Sequence, residues 1–247
     1  IRVVEPLVFD GCHATIELSA NIDRGLTGKS AEEDGNVITV KNGAKLVLNG
    51  LSDDRSIQGG NAKGDDLGGG ITVEGGTVEG GSTLNVQGRL AITDNRANGK
   101  ANNVYLANEA NTITFGGDSN ARVRVGVSVP VTAKNYVSPI IVVSSGAAST
   151  NAVFDPDDPG FQKRVVVNDA GSSQLQFYIG ARWGKATGTA KTGEPANWVG
   201  MGALADAVAY ANSRANTYIE LLSDEICDSA SGKPFAFKGK NTILDLN

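Results

Sequence analysis

The side chains able to do chemistry in this sequence are few and unevenly placed. His13 is the only imidazole, so a serine or cysteine hydrolase would have to use it as its base, and a zinc site built on paired histidines cannot be assembled. It stands beside Cys12 and before a β-prone run, the setting of a surface or structural residue. Carboxylates are more plentiful. Asp53 and Asp54 beside Arg55, Asp65 with Asp66, and Glu74 with Glu79 form the acidic set on which a polysaccharide lyase or glycosidase would draw. Such enzymes need carboxylates, an Arg or Lys base and sometimes Ca2+. On adjacent coils of a solenoid two carboxylates would lie about 5 Å apart, the retaining separation, and two coils apart about 10 Å, near the inverting limit. Asp65 and Asp66 also fall in a Lys-Gly-Asp-Asp-Leu-Gly stretch whose composition is that of a solvated turn.

Calcium is the metal these loops and Asp155-Pro156-Asp157-Asp158 would take, because hard cations bind clustered carboxylate and carbonyl oxygens. No EF-hand or nonapeptide calcium repeat is present, so a solvated acidic loop is the simpler reading and no cofactor is required. The glycine clusters at Gly68–Gly70 and around Gly75 lie between strands, without the helix whose N-terminus would hold a phosphate. Trp183 and Trp198 are the candidate ligand-binding residues, since an exposed indole stacks on sugar rings or anchors a protein partner. Packing against the fold is the competing reading. Cys12 and Cys227 form no CxxC pattern and are either one disulfide or two free thiols.

Positioning these residues falls to short strands and tight turns. Of 247 residues 32 are glycine, about twice ordinary usage. From Val37 to Val127 the chain repeats runs of three to five β-prone residues followed by a turn. Examples are Val37-Ile38-Thr39-Val40 before Asn42-Gly43, Ile71-Thr72-Val73 before Gly75, and Leu90-Ala91-Ile92-Thr93 before Asp94-Asn95. Such spacing fits a sandwich of hairpins or a solenoid of parallel coils. The same idiom continues to Gly180, interrupted by Asp155-Pro156-Asp157-Asp158-Pro159-Gly160, which reads as an exposed loop. A polar Gly, Thr and Lys stretch then reads as a linker. The one clear helical period runs from Gly202 to Arg214, with Leu204, Val208 and Ala211 on one face and Asp206 and Asn212 on the other. Beyond it, Tyr218-Ile219-Glu220-Leu221 echoes Thr15-Ile16-Glu17-Leu18. The expected division is therefore a β-helix over 1–180, a linker over 181–202, and over 203–247 a capping helix leading into strands of a second repeat.

Gly59-Gly60-Asn61-Ala62, Gly68-Gly69-Gly70-Ile71-Thr72-Val73 and Asp94-Asn95-Arg96 through Asn102-Asn103-Val104-Tyr105-Leu106 resemble the large repetitive surface proteins of Gram-positive and gut bacteria. Asn-Asn-Val-Tyr-Leu is the most specific of these, and the segment from Ala203 to Asn247 resembles the opening of another repeat. The resemblance implies an all-β, right-handed parallel β-helix of pectate-lyase-like shape, on a long secreted chain anchored to the cell wall. In such a helix Val, Ile and Leu ladders fill the interior, and asparagines such as Asn95, Asn98, Asn102 and Asn103 suit the corners, where they can bond from coil to coil. Ordinary turn asparagines are the alternative.

A net charge of -5 disfavours nucleic acid and anionic membrane surfaces as partners. No apolar run reaches the roughly 18 residues of a membrane span, and Ile1–Asp10 lack the basic start and apolar core of a signal peptide. The chain thus reads as a mature or excised fragment of an extracellular, cell-surface protein. The leading expectation is a non-catalytic structural or adhesive module that meets a host glycan or extracellular protein. A carbohydrate-active enzyme, lyase or glycosidase, is the alternative.

Overall fold

The computed structural model describes residues 1–24, 35–63, 68–75, 81–116, 121–130, 139–149, 151–187, 198–222, 238 and 241–246, and of 52–54 the backbone alone. The chain divides into two compact units. One comprises Ile1–Pro130, Ile141–Asp158 and Lys163–Gln176, the other Val131–Ile140, Pro159–Gln162 and Phe177–Asn247.

The first unit is a parallel β-solenoid of about four turns. Strands stack in three columns of parallel pairs, so the sandwich of hairpins is not formed. On the first face Leu7, Ile38, Ile71, Val104 and Val127 occupy one register position in succession. On the second, Ala14, Leu46, Leu84, Ile113 and Val143 do so. On the third, the column is Ile22, Ile57, Ile92, Val125 and Phe154. A parallel ladder repeats at about 4.8 Å, so each coil lays its apolar side chain on the matching one of the coil before. Ile38, Ile57, Ile71, Leu84, Ile92 and Val104 are all fully buried. Every second residue points outward, as the alternating exposure of Thr83–Ile92 records, and this period of two is the sequence pattern of the strands that build each coil.

Turn chemistry explains the corners. Asn42 and Gly43 both hold left-handed backbones (φ 55° and 78°), which an L residue other than Asn, Asp or Gly pays for sterically. Their Asn-Gly pair does not close a hairpin; it turns the chain from Ile38–Lys41 on the first face to Lys45–Gln58, which opens on the second. Gly60 answers a different need. A Cβ there would fall inside the contact radius of the Gly69 carbonyl oxygen, and one at Gly69 would meet the Arg96 backbone, so the coils stack closely at these points because neither position carries a side chain.

The second unit follows another plan. Ala181–Lys185 is one of two inner strands of a four-stranded sheet, antiparallel to Trp198–Gly202 on one side and to Thr217–Leu221 on the other. Thr217–Leu221 in turn pairs in parallel with Thr242–Asp245. The residues expected as a linker are therefore strand at both ends, Ala181–Lys185 and Trp198–Gly202; 188–197 lie outside the described residues. Those two ends pair with each other as antiparallel strands of one sheet, which a linker would not do. Helix α1 spans Leu204–Asn212 as the period of apolar residues predicts, and buries Leu204, Ala207, Val208 and Ala211. Leu204, Val208 and Ala211 are spaced by four and three residues, which places them on one stripe. They close on Ala181, Trp183 and Ile219 of the sheet to make a core.

Candidate functional site

The corner network of the solenoid is a buried polar site of the first unit. Asn95 is 1 % exposed. Its Nδ2 donates to the Ile57 carbonyl at 2.9 Å and the Thr93 carbonyl at 2.8 Å, and its Oδ1 accepts from Gly60 N at 3.0 Å. Asn103 Oδ1 accepts from Asn95 N at 3.0 Å. Asn103 then reaches Asp157, donating from N to Oδ2 at 2.7 Å and from Nδ2 to Oδ1 at 2.6 Å, while Ser128 Oγ donates to the same Oδ2 at 2.9 Å. One chain of hydrogen bonds thus ties successive coils together. Of the expected corner asparagines, Asn95 and Asn103 fill that role. Asn98, with φ 50°, is a turn asparagine instead.

Asp157 belongs to the segment read as an exposed acidic loop. Instead, Ala152–Pro156 is a strand of the third face and Asp157 is half-buried at its end. Burial pushes its carboxyl above the ordinary carboxylate range, against the opposing pull of hydrogen bonds from Asn103 and Ser128, with nearby Asp155 adding to the rise. No local signal announces this role, because its partners lie 54 and 29 residues away.

The two tryptophans part company. Sheet pleating puts Trp183 on the side facing α1, where it is 9 % exposed and its ring lies 6.5 Å from that of Tyr210. Gly200 leaves room for the indole, since a Cβ there would sit 2.6 Å from Trp183 Cε2. Trp183 is a core residue, and the ligand-binding expectation for it does not hold. Trp198 lies half-buried beside the opposite face. The Arg182 guanidinium stands 4.0 Å from its ring centroid, and Tyr218 meets it edge-on at 6.0 Å. Arg182 Nε also donates to Glu220 Oε2 at 2.5 Å, and the Tyr218 hydroxyl donates to Asp245 Oδ2 at 2.6 Å. Trp198 is therefore a partly accessible ring held in place by a paired cation.

On the helix-facing side, where α1 ends, a cavity of about 390 Å3 opens among Lys185, Tyr210, Ser213, Arg214, Asn216 and Thr217. Arg214 is held 5.1 Å over the Tyr210 ring, Ser213 Oγ donates to the Tyr210 carbonyl at 2.8 Å, and Lys185 lies directly across the ladder from Thr217. Sequence reading passed over this group; its only local sign is a cation just beyond a helix C-terminus, where the dipole favours positive charge.

Of the remaining candidates, Asp65, Asp66, Glu79 and Cys227 lie outside the described residues, as do the side chains of Asp53 and Asp54. Glu74 is half-buried, and its carbonyl accepts from Ser82 Oγ at 2.8 Å. Cys12 and His13 are exposed. Among the described residues no three of His, Cys, Asp or Glu converge on a metal position, and no helix is long and apolar enough to cross a membrane. No protein-family model, no curated protein and no solved structure matches this chain.

Proposed function

We propose that the protein is a non-catalytic bacterial cell-surface module, structural and adhesive, which presents a regular face to a host glycan or extracellular protein. The observation that carries this reading is the outward side of the second face. There Lys45, Thr83 and Thr112 follow one another in register, as do Val47, Asn85 and Thr114, and then Asn49 and Gln87. These side chains are tied laterally, Asn85 Nδ2 donating to Thr114 Oγ1 at 2.8 Å and Gln87 Nε2 to Asn85 Oδ1 at 3.1 Å. A sheet face whose outward rows are mostly hydrogen-bonding groups, broken only at Val47 in these rows, suits a partner that itself repeats hydroxyls, and the prior ordering of those groups lowers the entropy lost on binding. Half-buried Asp157 ties coils, half-buried Arg182 braces Trp198 and Glu220, and buried Arg24 donates to the Asn36 carbonyl at 2.7 Å.

A glycan and mucin array probed with the purified protein tests this, run beside an assay for new reducing ends and unsaturated uronic products. The proposal expects binding without turnover. Product release overturns it in favour of a lyase or glycosidase acting through the acidic loops, and silence in both assays removes the adhesive role.

A further inference from the structure

The cavity at the end of α1 is built from groups that share one chemical preference. Lys185 and Arg214 bring two cations, and among the described residues no Asp or Glu lines the cavity. In a chain of net charge -5 such a local excess of positive charge selects an anion. Arg214 is the more ordered of the two, because its guanidinium rests over the Tyr210 ring. Hydroxyls of Tyr210, Ser213 and Thr217 and the Asn216 amide complete a lining that suits a polyol. The volume of about 390 Å3 falls within the range of small-ligand sites, about 300 to 1,000 Å3.

Thr217 supplies an independent sign. It is 1 % exposed, yet its Oγ1 has no hydrogen-bond partner among the described residues, and neither has Oγ1 of Thr242, its neighbour in register. Native proteins satisfy nearly all such groups, so the unsatisfied Thr217 hydroxyl at the wall of a cationic cavity marks a place where an outside oxygen completes the bonding.

We infer that this cavity binds the acidic residue of a glycan, with the sugar carboxylate between Arg214 and Lys185 and a ring hydroxyl reaching Thr217. This rests on the adhesive reading and names the chemistry of its ligand. A long phosphate polymer fits less well, because the net negative charge of the whole chain opposes a partner of such dense charge, whereas a glycan places its acid groups sparsely.

The test is titration of the whole chain with D-glucuronate, D-glucose, acetate and a single-stranded oligonucleotide, followed by backbone NMR shifts. Glucuronate is expected to shift the amides of residues 185 and 213–217, with glucose and acetate each at least tenfold weaker. Arg214→Ala together with Lys185→Ala, both exposed positions, is expected to weaken glucuronate at least tenfold without changing the circular dichroism. Thr217→Val should weaken it severalfold without lowering the melting temperature, since it deletes no existing hydrogen bond. Acetate binding as tightly as glucuronate, tighter binding of the oligonucleotide, or unchanged binding by the double variant each overturns the inference. Array binding that survives in the double variant defeats the cavity and leaves the adhesive reading standing; absence of array binding by the wild type defeats that reading even where glucuronate still binds.

Discussion

The first unit buries its aliphatic side chains in columns, Ile22 beneath Ile57, Ile92, Val125 and Phe154, and each column is local to one face. The second buries Trp183 and Ile219 under a helix, with side chains of several sizes meeting at one core. Both tryptophans and most other aromatic residues fall in the second unit. The difference teaches how each region can afford polar chemistry. Column packing needs identical geometry on every coil, so its polar groups go into ties between coils or into repeating outward rows. A helix on a sheet ends abruptly, and where α1 ends it leaves a hollow that Arg214 and Lys185 line with no Asp or Glu among the described residues.

Cutting a column gives the largest effect expected. Ile92→Ala opens a void between Ile57 and Val125 and should destabilise the first unit by about 3 to 4 kcal/mol, read from urea unfolding. A loss below about 1 kcal/mol would mean that the columns do not carry its stability. Next comes the coil tie. Asp157→Ala strands the Asn103 and Ser128 donors and should cost about 2 to 3 kcal/mol.

The same carboxylate has a pH signature. Because burial raises its folded pKa above the ordinary 3.8, the stability this group contributes is present below that value and is lost as pH rises through the folded one. Asp157→Asn should remove that part of the profile, so the wild type declines relative to the variant over this window. A parallel pair of profiles contradicts the assignment. Asp10 runs the opposite way, its carboxyl lowered first by the hydrogen bond from Asn42 and also by Lys41, and its support fades as pH falls.

In the second unit, Arg182→Met should cost about 1 to 2 kcal/mol, the pair with Glu220 being largely but not wholly buried. It should also change the fluorescence of Trp198, which loses the cation over its ring. Smallest in stability is Lys185→Ala with Arg214→Ala, within about 0.5 kcal/mol of wild type because both side chains are exposed.

Much of the solenoid was legible because a period of two and Asn or Gly turns are local signals; Asn42-Gly43 and the run Thr83 to Ile92 declare corner and strand in a few residues. The sense of the Asn-Gly turn was not legible, since the same dihedrals serve a hairpin or a corner and only pairing across some 30 residues decides it. Trp183 and Trp198 looked alike in sequence and differ in place because the pleat sends one toward α1. Asp157 and the cavity depend on registers between distant strands, Lys185 opposite Thr217 and Asp157 beside Asn103, and no window of sequence contains both partners.

On the adhesive reading proposed above, the second unit carries the acid-selective site. The measurement that tests it most directly sets the wild type and the Lys185→Ala, Arg214→Ala double variant side by side on one array of acidic and neutral glycans at fixed ionic strength, with product release assayed in the same wells. The account predicts acidic-glycan binding by the wild type, its loss in the folded double variant, and no product from either; equal binding by both proteins, or product from the wild type, would contradict it.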